Sequence, residues 1–202
     1  KARGADIHYW GRSRATATQV ISAGQAADRL LAVSAALKAD MVALGMPAER
    51  IAVHYTGIDR TMFYVRDRPA SKTTLGLSGP LLVSVGALIE RKGHSIVIDA
   101  MKQLPNATLA IIGQGPDRAA LERRAASLGH RVRFLGPQPH AIIADWMAAA
   151  DTMVLMSASE GLANAWIEAL ASGTPIVISD VGGAREVLDR PEAGVLVAAD
   201  PV

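Results

Sequence analysis

From Leu81 onward, short apolar runs alternate with helical stretches, and few folds accept that rhythm. Leu81–Val85, Thr108–Ile112, Val132–Leu135, Met153–Met156, Ile176–Ile178 and Gly194–Val197 read as strands. A loop (Gly86 to Gly93) and a helix to about Leu104 follow the first strand. The next helix has Pro116 at its first position and runs to Leu128, where Gly129 ends it. Pro139–Ala150 is a third, a helix bearing Glu168 a fourth, and Gly182-Gly183 opens a short fifth to Leu188. Apolar strands alternating with helices make a parallel sheet covered on both faces, with right-handed crossovers. In such a sheet ligands bind beyond the carboxyl ends of the strands.

The first third of the chain is less regular. Residues 1–27 read as helix with a loose start, and Leu30–Val33 as a short strand. Ser34 suits the N-cap of a helix over Ala35–Leu44, whose Leu37, Met41 and Leu44 fall at helical spacing. Gly45 and Pro47 stop it, and Ile51–Tyr55 is another strand. Gly57-Ile58-Asp59 turns out of that strand, and Arg66–Ala70 is polar and contains a proline. A domain boundary is expected near residues 60–68, separating 1–66 from 67–202.

Composition narrows the function. Half of the 202 residues are hydrophobic, enough for a substantial core, and the formal net charge of +2 is too small for a nucleic-acid footprint. Arg118, Arg123, Arg124, Arg131 and Arg133 read as a solvated helix face. With no cysteine, disulfides and thiolate metal sites are excluded, which fits a reducing compartment. No apolar run approaches the ~20 residues of a membrane span. The start, Lys1-Ala2-Arg3-Gly4, lacks a Met and an apolar signal region and reads as a cut inside a longer chain.

Four strand-to-helix loops carry distinctive chemistry. Gly86–Gly93 puts Arg91 and Lys92 near a helix N-terminus, where an anion is favoured, although two solvated charges are the plainer reading. Gly113-Gln114-Gly115-Pro116 is more often a tight turn than a phosphate loop. Leu135-Gly136-Pro137-Gln138-Pro139 is a rigid turn able to offer backbone groups to a flat ring, or simply a strand-to-helix turn. The segment from Glu160 to Glu168 says most. Eight residues apart, the two would lie roughly 80° apart around one helix, so a loop Glu160 and a helical Glu168 make better sense. Gly161, Leu162, Ala163, Asn164 and Ala165 lie between, and the small ones let a ligand approach backbone N–H groups. A carboxylate in an apolar helix is costly unless something hydrogen-bonds to it, and a hydroxyl-rich ligand would.

These residues carry a resemblance. Ser157, Glu160, Gly161, Glu168, Ala169, Ala171, Gly173, Pro175 and Val177 match the E-x7-E signature of retaining glycosyltransferases of family 4, the glycosyl transferases group 1 class. Val85-Gly86, Lys92-Gly93-His94, Gly113-Gln114-Gly115-Pro116, Val132-Arg133-Phe134-Leu135-Gly136, Ala148-Ala149-Ala150-Asp151 and Ser179-Asp180-Val181-Gly182-Gly183 resemble further family segments in order. Ala27-Asp28-Arg29, Val33-Ser34 and Gly57-Ile58-Asp59 resemble the end of the family's N-terminal domain.

The resemblance implies a GT-B architecture, two Rossmann-like domains with the active site in the cleft. Residues 67–202 would be most of the donor-binding domain, and 1–66 the end of the acceptor-side domain. The donor would be a nucleoside-diphosphate sugar, with no cofactor and no metal. Glu168 would hold ribose hydroxyls and Glu160 the sugar. Leu162, Ala163 and Asn164 would approach sugar and diphosphate through their backbone, and Lys92 would bind the diphosphate. Gly136, Pro137 and Gln138 would border the base, with Gly86, Arg91 and Gly113 lining the same site. Ala87 stands where the family commonly has a second cationic ligand, an Arg. The acceptor, a sugar or lipid-linked sugar, would come through the N-terminal domain, in a cytoplasmic protein able to touch a membrane periphery. His8, His54, His94, His130 and His140 are expected at the surface or in turns, and Trp10, Trp146 and Trp166 in packing. The rivals are a nicotinamide-dependent oxidoreductase, whose fingerprint is missing after the first strand, a sugar-nucleotide epimerase on the same scaffold, and a non-catalytic nucleotide-sugar-binding module.

Overall fold

The structure, a computed structural model, describes residues 1–198. The last four residues of the expected donor-side unit lie outside them. Six parallel strands form the main sheet: β3 (Leu81–Val85), β4 (Thr108–Ile112), β5 (Val132–Gly136), β6 (Thr152–Leu155), β7 (Ile176–Ser179) and β8 (Gly194–Val197). Their spatial order is β5-β4-β3-β6-β7-β8, the doubly wound order. The chain therefore reverses direction across the sheet between β3 and β6, and the loops after those two strands face each other over a crevice.

Period-two alternation assigns the faces. Leu81, Val83, Ala110, Ile112, Met153, Leu155, Ile176 and Ile178 point to one side, where α6 (His140–Ala149) and α7 (Asn164–Ala171) supply Met147, Trp166 and Ala169. Leu109, Ile111, Val132 and Val154 point to the other, against Val97 and Ile98 of α4 (His94–Ala100) and Leu121 and Ala125 of α5 (Arg118–Ala125). A strand buried on both faces carries few polar positions, which is why these runs read as mostly apolar stretches. Where β4 pairs β5, Leu135 is an extra residue, since Ile111 faces Phe134 and Ile112 faces Gly136. The irregularity falls at the carboxyl edge, where bulges re-aim the chain.

Upstream, a π-helical turn (Asp6–Trp10) and α1 (Ala17–Ala26) precede β1 (Leu30–Ala32), α2 (Ala35–Ala43) and β2 (Ile51–Val53). β1 and β2 make a separate two-stranded parallel sheet. Ser34 caps α2 as its sequence position predicts, accepting from the Leu37 amide at 3.1 Å. One apolar cluster runs through both sheets, from Val33 and Leu37 to Leu162 and Trp166.

Four expectations are corrected. The stretch at Arg66–Ala70, to which the sequence reading assigns no helix, is helical from Arg68, because α3 (Arg68–Thr74) begins there. Asp67 accepts from the Ala70 amide at 2.7 Å and Pro69 sits in the first turn, a start signal that the polarity of the stretch obscured. Trp10 is half exposed rather than packed, its ring meeting Tyr9 edge to face. His94 is buried, and His8 half-buried. Pro116 lies in a turn two residues ahead of α5, a small displacement of the expected helix start. The other helices and strands fall within a few residues of their expected positions.

Among the arginines of the supposed solvated face, Arg118 pairs with Glu122, Arg124 with Asp99, and Arg131 donates to the carbonyls of Met101 and Leu104. Three of those five arginines therefore have protein partners. No helix among the described residues is long and apolar enough to cross a membrane.

Candidate active site at the carboxyl edge

The crevice between β3 and β6 brings together residues 68 positions apart. Lys92 ends a 3-10 turn (Glu90–Lys92) in the loop after β3, and its Nζ forms an ion pair with Glu160 in the loop after β6. Ser157 Oγ donates to the same Glu160 oxygen at 2.8 Å. Both charged side chains are largely withdrawn from water, at 16% and 9% exposure. Arg91 ties the two loops through backbone: its Nη1 donates to the Ser159 carbonyl at 2.8 Å, and its own carbonyl accepts from the Ala158 amide at 2.8 Å. Of the two adjacent cations, Lys92 meets a side-chain carboxylate and Arg91 a peptide carbonyl.

Glu168 stands in the second turn of α7 and is 8% exposed. No described residue donates a hydrogen bond to its carboxylate. Burial pushes its carboxyl pKa up, and the charge of nearby His140 pulls the other way. The start of α7 is also open: its N-cap is Ala163, and no side chain bonds to the first-turn amides. Leu162 and Ala163 are buried, and Asn164 is exposed.

Beside these lies a groove of about 300 Å³ lined by Gly86, Ala87, Gly113, Gln114, Pro137 and Gln138, among others. Gln138 donates back to the Leu135 carbonyl at 2.6 Å, fixing that turn. The two glycines of the second loop have a steric reason. A Cβ on Gly113 would sit 1.8 Å from the Gly86 carbonyl, and one on Gly115 would sit 2.2 Å from that of Leu88. They let the loops after β3 and β4 press together, closing the groove's floor.

His94 is a site neighbour the sequence reading placed at the surface. Its Nε2 lies 3.2 Å from the Ala87 carbonyl and its Nδ1 3.0 Å from Ser84 Oγ. A carbonyl only accepts, so Nε2 carries the proton and Nδ1 accepts from the serine hydroxyl. Burial first, and the charge of Lys92 after it, lower its pKa to about 4, so the ring is neutral and serves as a strut under the first loop. The signal for it was the apolar face of α4: His94 lies three and four positions before Val97 and Ile98.

The structure thus gathers Gly86, Lys92, Gly113, Gly136, Pro137, Gln138, Glu160 to Asn164 and Glu168 along one edge of the sheet, with Arg91 beneath the two central loops. This is a Rossmann-like parallel sheet with helices on both faces, of the GT-B type, with its polar groups at the switch point.

The chain belongs to the glycosyl transferases group 1 family, whose model matches residues 79–202. It is 33% identical over 190 residues to D-inositol 3-phosphate glycosyltransferase 1 of Catenulispora acidiphila, covering 85% of this chain and 46% of that protein. It is also 33% identical over 150 residues to the lipopolysaccharide core biosynthesis glycosyltransferase LpsE of Rhizobium meliloti, covering 73% and 42%. Its fold superimposes on Anabaena HepE in complex with UDP and glucose with a TM-score of 0.84 at 26% identity, covering 92% of this chain and 54% of that one. The same protein in complex with UDP-glucose gives 0.83 at 27% identity, covering 92% and 54%. The chain spans about half the length of the relatives it matches.

Proposed function

We propose that this chain is the donor-binding part of a retaining glycosyltransferase that moves a hexose from a nucleoside-diphosphate sugar to an acceptor hydroxyl. Residues 67–202 form the donor-binding unit, and residues 1–66 belong to the acceptor side. The observation that carries the reading is Glu168: a buried carboxylate at the carboxyl edge that no described residue hydrogen-bonds. Two vicinal ribose hydroxyls are the donors such a group lacks. The uridine nucleotides named for HepE support a nucleoside diphosphate in this position, with the base along the groove at Gly136, Pro137 and Gln138.

The diphosphate then falls between Lys92 and the uncapped start of α7, where a cation and free amides favour an anion. Glu160 meets the sugar hydroxyls. In the reaction the bond from the anomeric carbon to the diphosphate oxygen breaks, and the leaving charge is stabilised by the same Lys92 and amides. The acceptor oxygen bonds to the face from which the diphosphate departs, and its hydroxyl proton passes to the departing diphosphate oxygen. Ala87 leaves the diphosphate one cation fewer than the family pattern has, and Arg91 is engaged with the Ser159 carbonyl instead. The acceptor is a sugar or lipid-linked sugar, and the work belongs to glycolipid, polysaccharide or glycoconjugate assembly on the cytoplasmic side of a membrane.

Glu168→Gln tests the assignment. Hydrogen bonds to a charged acceptor contribute about 1.5–3 kcal/mol, so UDP affinity measured by calorimetry should fall roughly 10- to 100-fold. The folded state holds the Glu168 proton more tightly than the unfolded chain does. Ionising Glu168 therefore costs the apo protein stability as pH rises from the ordinary Glu value of 4.5 through the raised folded value. The same variant should accordingly melt higher than the wild type at pH 7, with the gain vanishing in acid. Unchanged UDP affinity would remove Glu168 from the nucleotide.

A further inference from the structure

The loop that carries Glu160 is also held from the first sheet. His8, in the π-helical turn, lies 2.8 Å from Asp40 Oδ2 through Nε2 and 2.7 Å from Ser159 Oγ through Nδ1. Its side chain is 14% exposed. Asp40 belongs to α2 and Ser159 immediately precedes Glu160, so one imidazole joins three segments far apart in sequence. Two neighbouring contacts repeat the direction of the tie. Ser34 Oγ, which also caps α2, donates to the Gly161 carbonyl at 2.9 Å. Gly161 itself is pressed against the N-terminal segment, where a Cβ would lie 2.3 Å from the Arg3 carbonyl. Residues 159 and 161 are thus both bonded to the upstream elements, and Glu160 between them turns inward to Lys92 and Ser157.

We propose that His8 is a positioning residue for Glu160, holding Ser159 so that the position of the upstream elements sets where the Glu160 carboxylate meets the donor sugar. This role for His8 rests on the donor-binding reading above. An ionised Asp40 only accepts, so Nε2 carries a proton in every state of the ring. A neutral His8 accepts from the Ser159 hydroxyl at Nδ1, and a protonated one donates to its oxygen. The tie survives either way, because a serine hydroxyl can serve as donor or acceptor. Arg91 holds the Ser159 carbonyl from the donor side while His8 holds its side chain from the other. Neither residue touches the sugar in this scheme.

The test compares UDP-glucose with UDP on the whole chain by calorimetry, with amide exchange in parallel. His8→Phe and Ser159→Ala should each weaken UDP-glucose about tenfold and UDP less than twofold, since the misplaced group is the one that meets the sugar. The double variant should be no worse than either single one, because both cut the same tie. His8→Asn, which sets an amide oxygen where Nδ1 stands, should restore UDP-glucose affinity to within twofold. Exchange at Ala158 and Gly183, whose amides bond to the Arg91 and Gly161 carbonyls, should quicken at least tenfold in His8→Phe, with β6 amides unchanged. Equal losses for both ligands together with faster β6 exchange would show a general structural role and overturn the proposal, as would wild-type affinities and exchange rates in Ser159→Ala. If the wild-type chain binds neither ligand, the donor reading fails by itself, and the exchange comparison alone decides whether His8 holds the loop.

Discussion

Lys92→Ala should destabilise the folded chain by about 3 kcal/mol and weaken nucleoside diphosphates far more than nucleosides. The stability loss follows from Glu160, whose carboxylate is 9% exposed and would keep only the Ser157 hydroxyl as partner. Removing one member of a buried ion pair leaves an uncompensated charge, with losses of about 3–5 kcal/mol, and the residual exposure here places the expectation at the lower end. A Lys92→Ala, Glu160→Gln double variant should recover most of that loss, because the orphaned charge is gone. Its diphosphate affinity should remain low, because the cation is still missing. Urea denaturation of the three proteins, with calorimetry of UDP and uridine, separates the two effects. Equal losses for UDP and uridine would make Lys92 a structural charge only.

Acid should loosen the chain through His94. Its pKa is near 6.5 when unfolded and about 4 when folded. Between those values the unfolded chain takes up a proton that the folded chain refuses. Stability is fully present above about pH 6.5 and is lost as pH falls toward 4, by about 3 kcal/mol in all at 1.36 kcal/mol per unit. Glu168 works in the opposite sense over the upper part of the carboxylate range, since its folded pKa is raised. Asp99, held to about 2 by Arg124 and Lys102, acts at lower pH, because its own contribution begins to fade only near 3.8. His94→Gln, which keeps a donor toward Ala87, should flatten the slope between pH 6.5 and 4. A slope unchanged in that variant would assign the acid sensitivity elsewhere.

The six strands and their helices were legible because a doubly covered parallel sheet makes its strands predominantly apolar, so Leu81–Val85 and Thr108–Ile112 stood out despite Ser84 and Thr108. Glu160 and Glu168 were legible because a carboxylate stands out in an apolar run, and family spacing gave each a role. Three features were not. α3 begins in a stretch whose charges, Arg66, Asp67 and Arg68, read only as polar, and the ties that fix its place, Lys72 to Asp151 and the preceding Arg66 to Asp145, each span 79 residues. His94 looked like a polar residue at a loop end, and only the packing of α4 on the sheet decides that its ring turns inward. The His8–Ser159 contact spans 151 positions, and nothing in local pattern announces such a pairing.

A nucleotide sugar bound as proposed at the carboxyl edge of the main sheet should perturb that edge alone. The direct measurement is a titration of the isotope-labelled chain with UDP-glucose, and with guanosine and adenosine diphosphate sugars, followed by amide resonances. Saturable shifts are expected at Gly86, Gly113, Gly136 and the stretch from Glu160 to Asn164, with one base preferred and with β1 and α1 unmoved. Shifts scattered over the surface without saturation, or confined to the opposite edge of the sheet for every nucleotide sugar tried, would place the donor elsewhere.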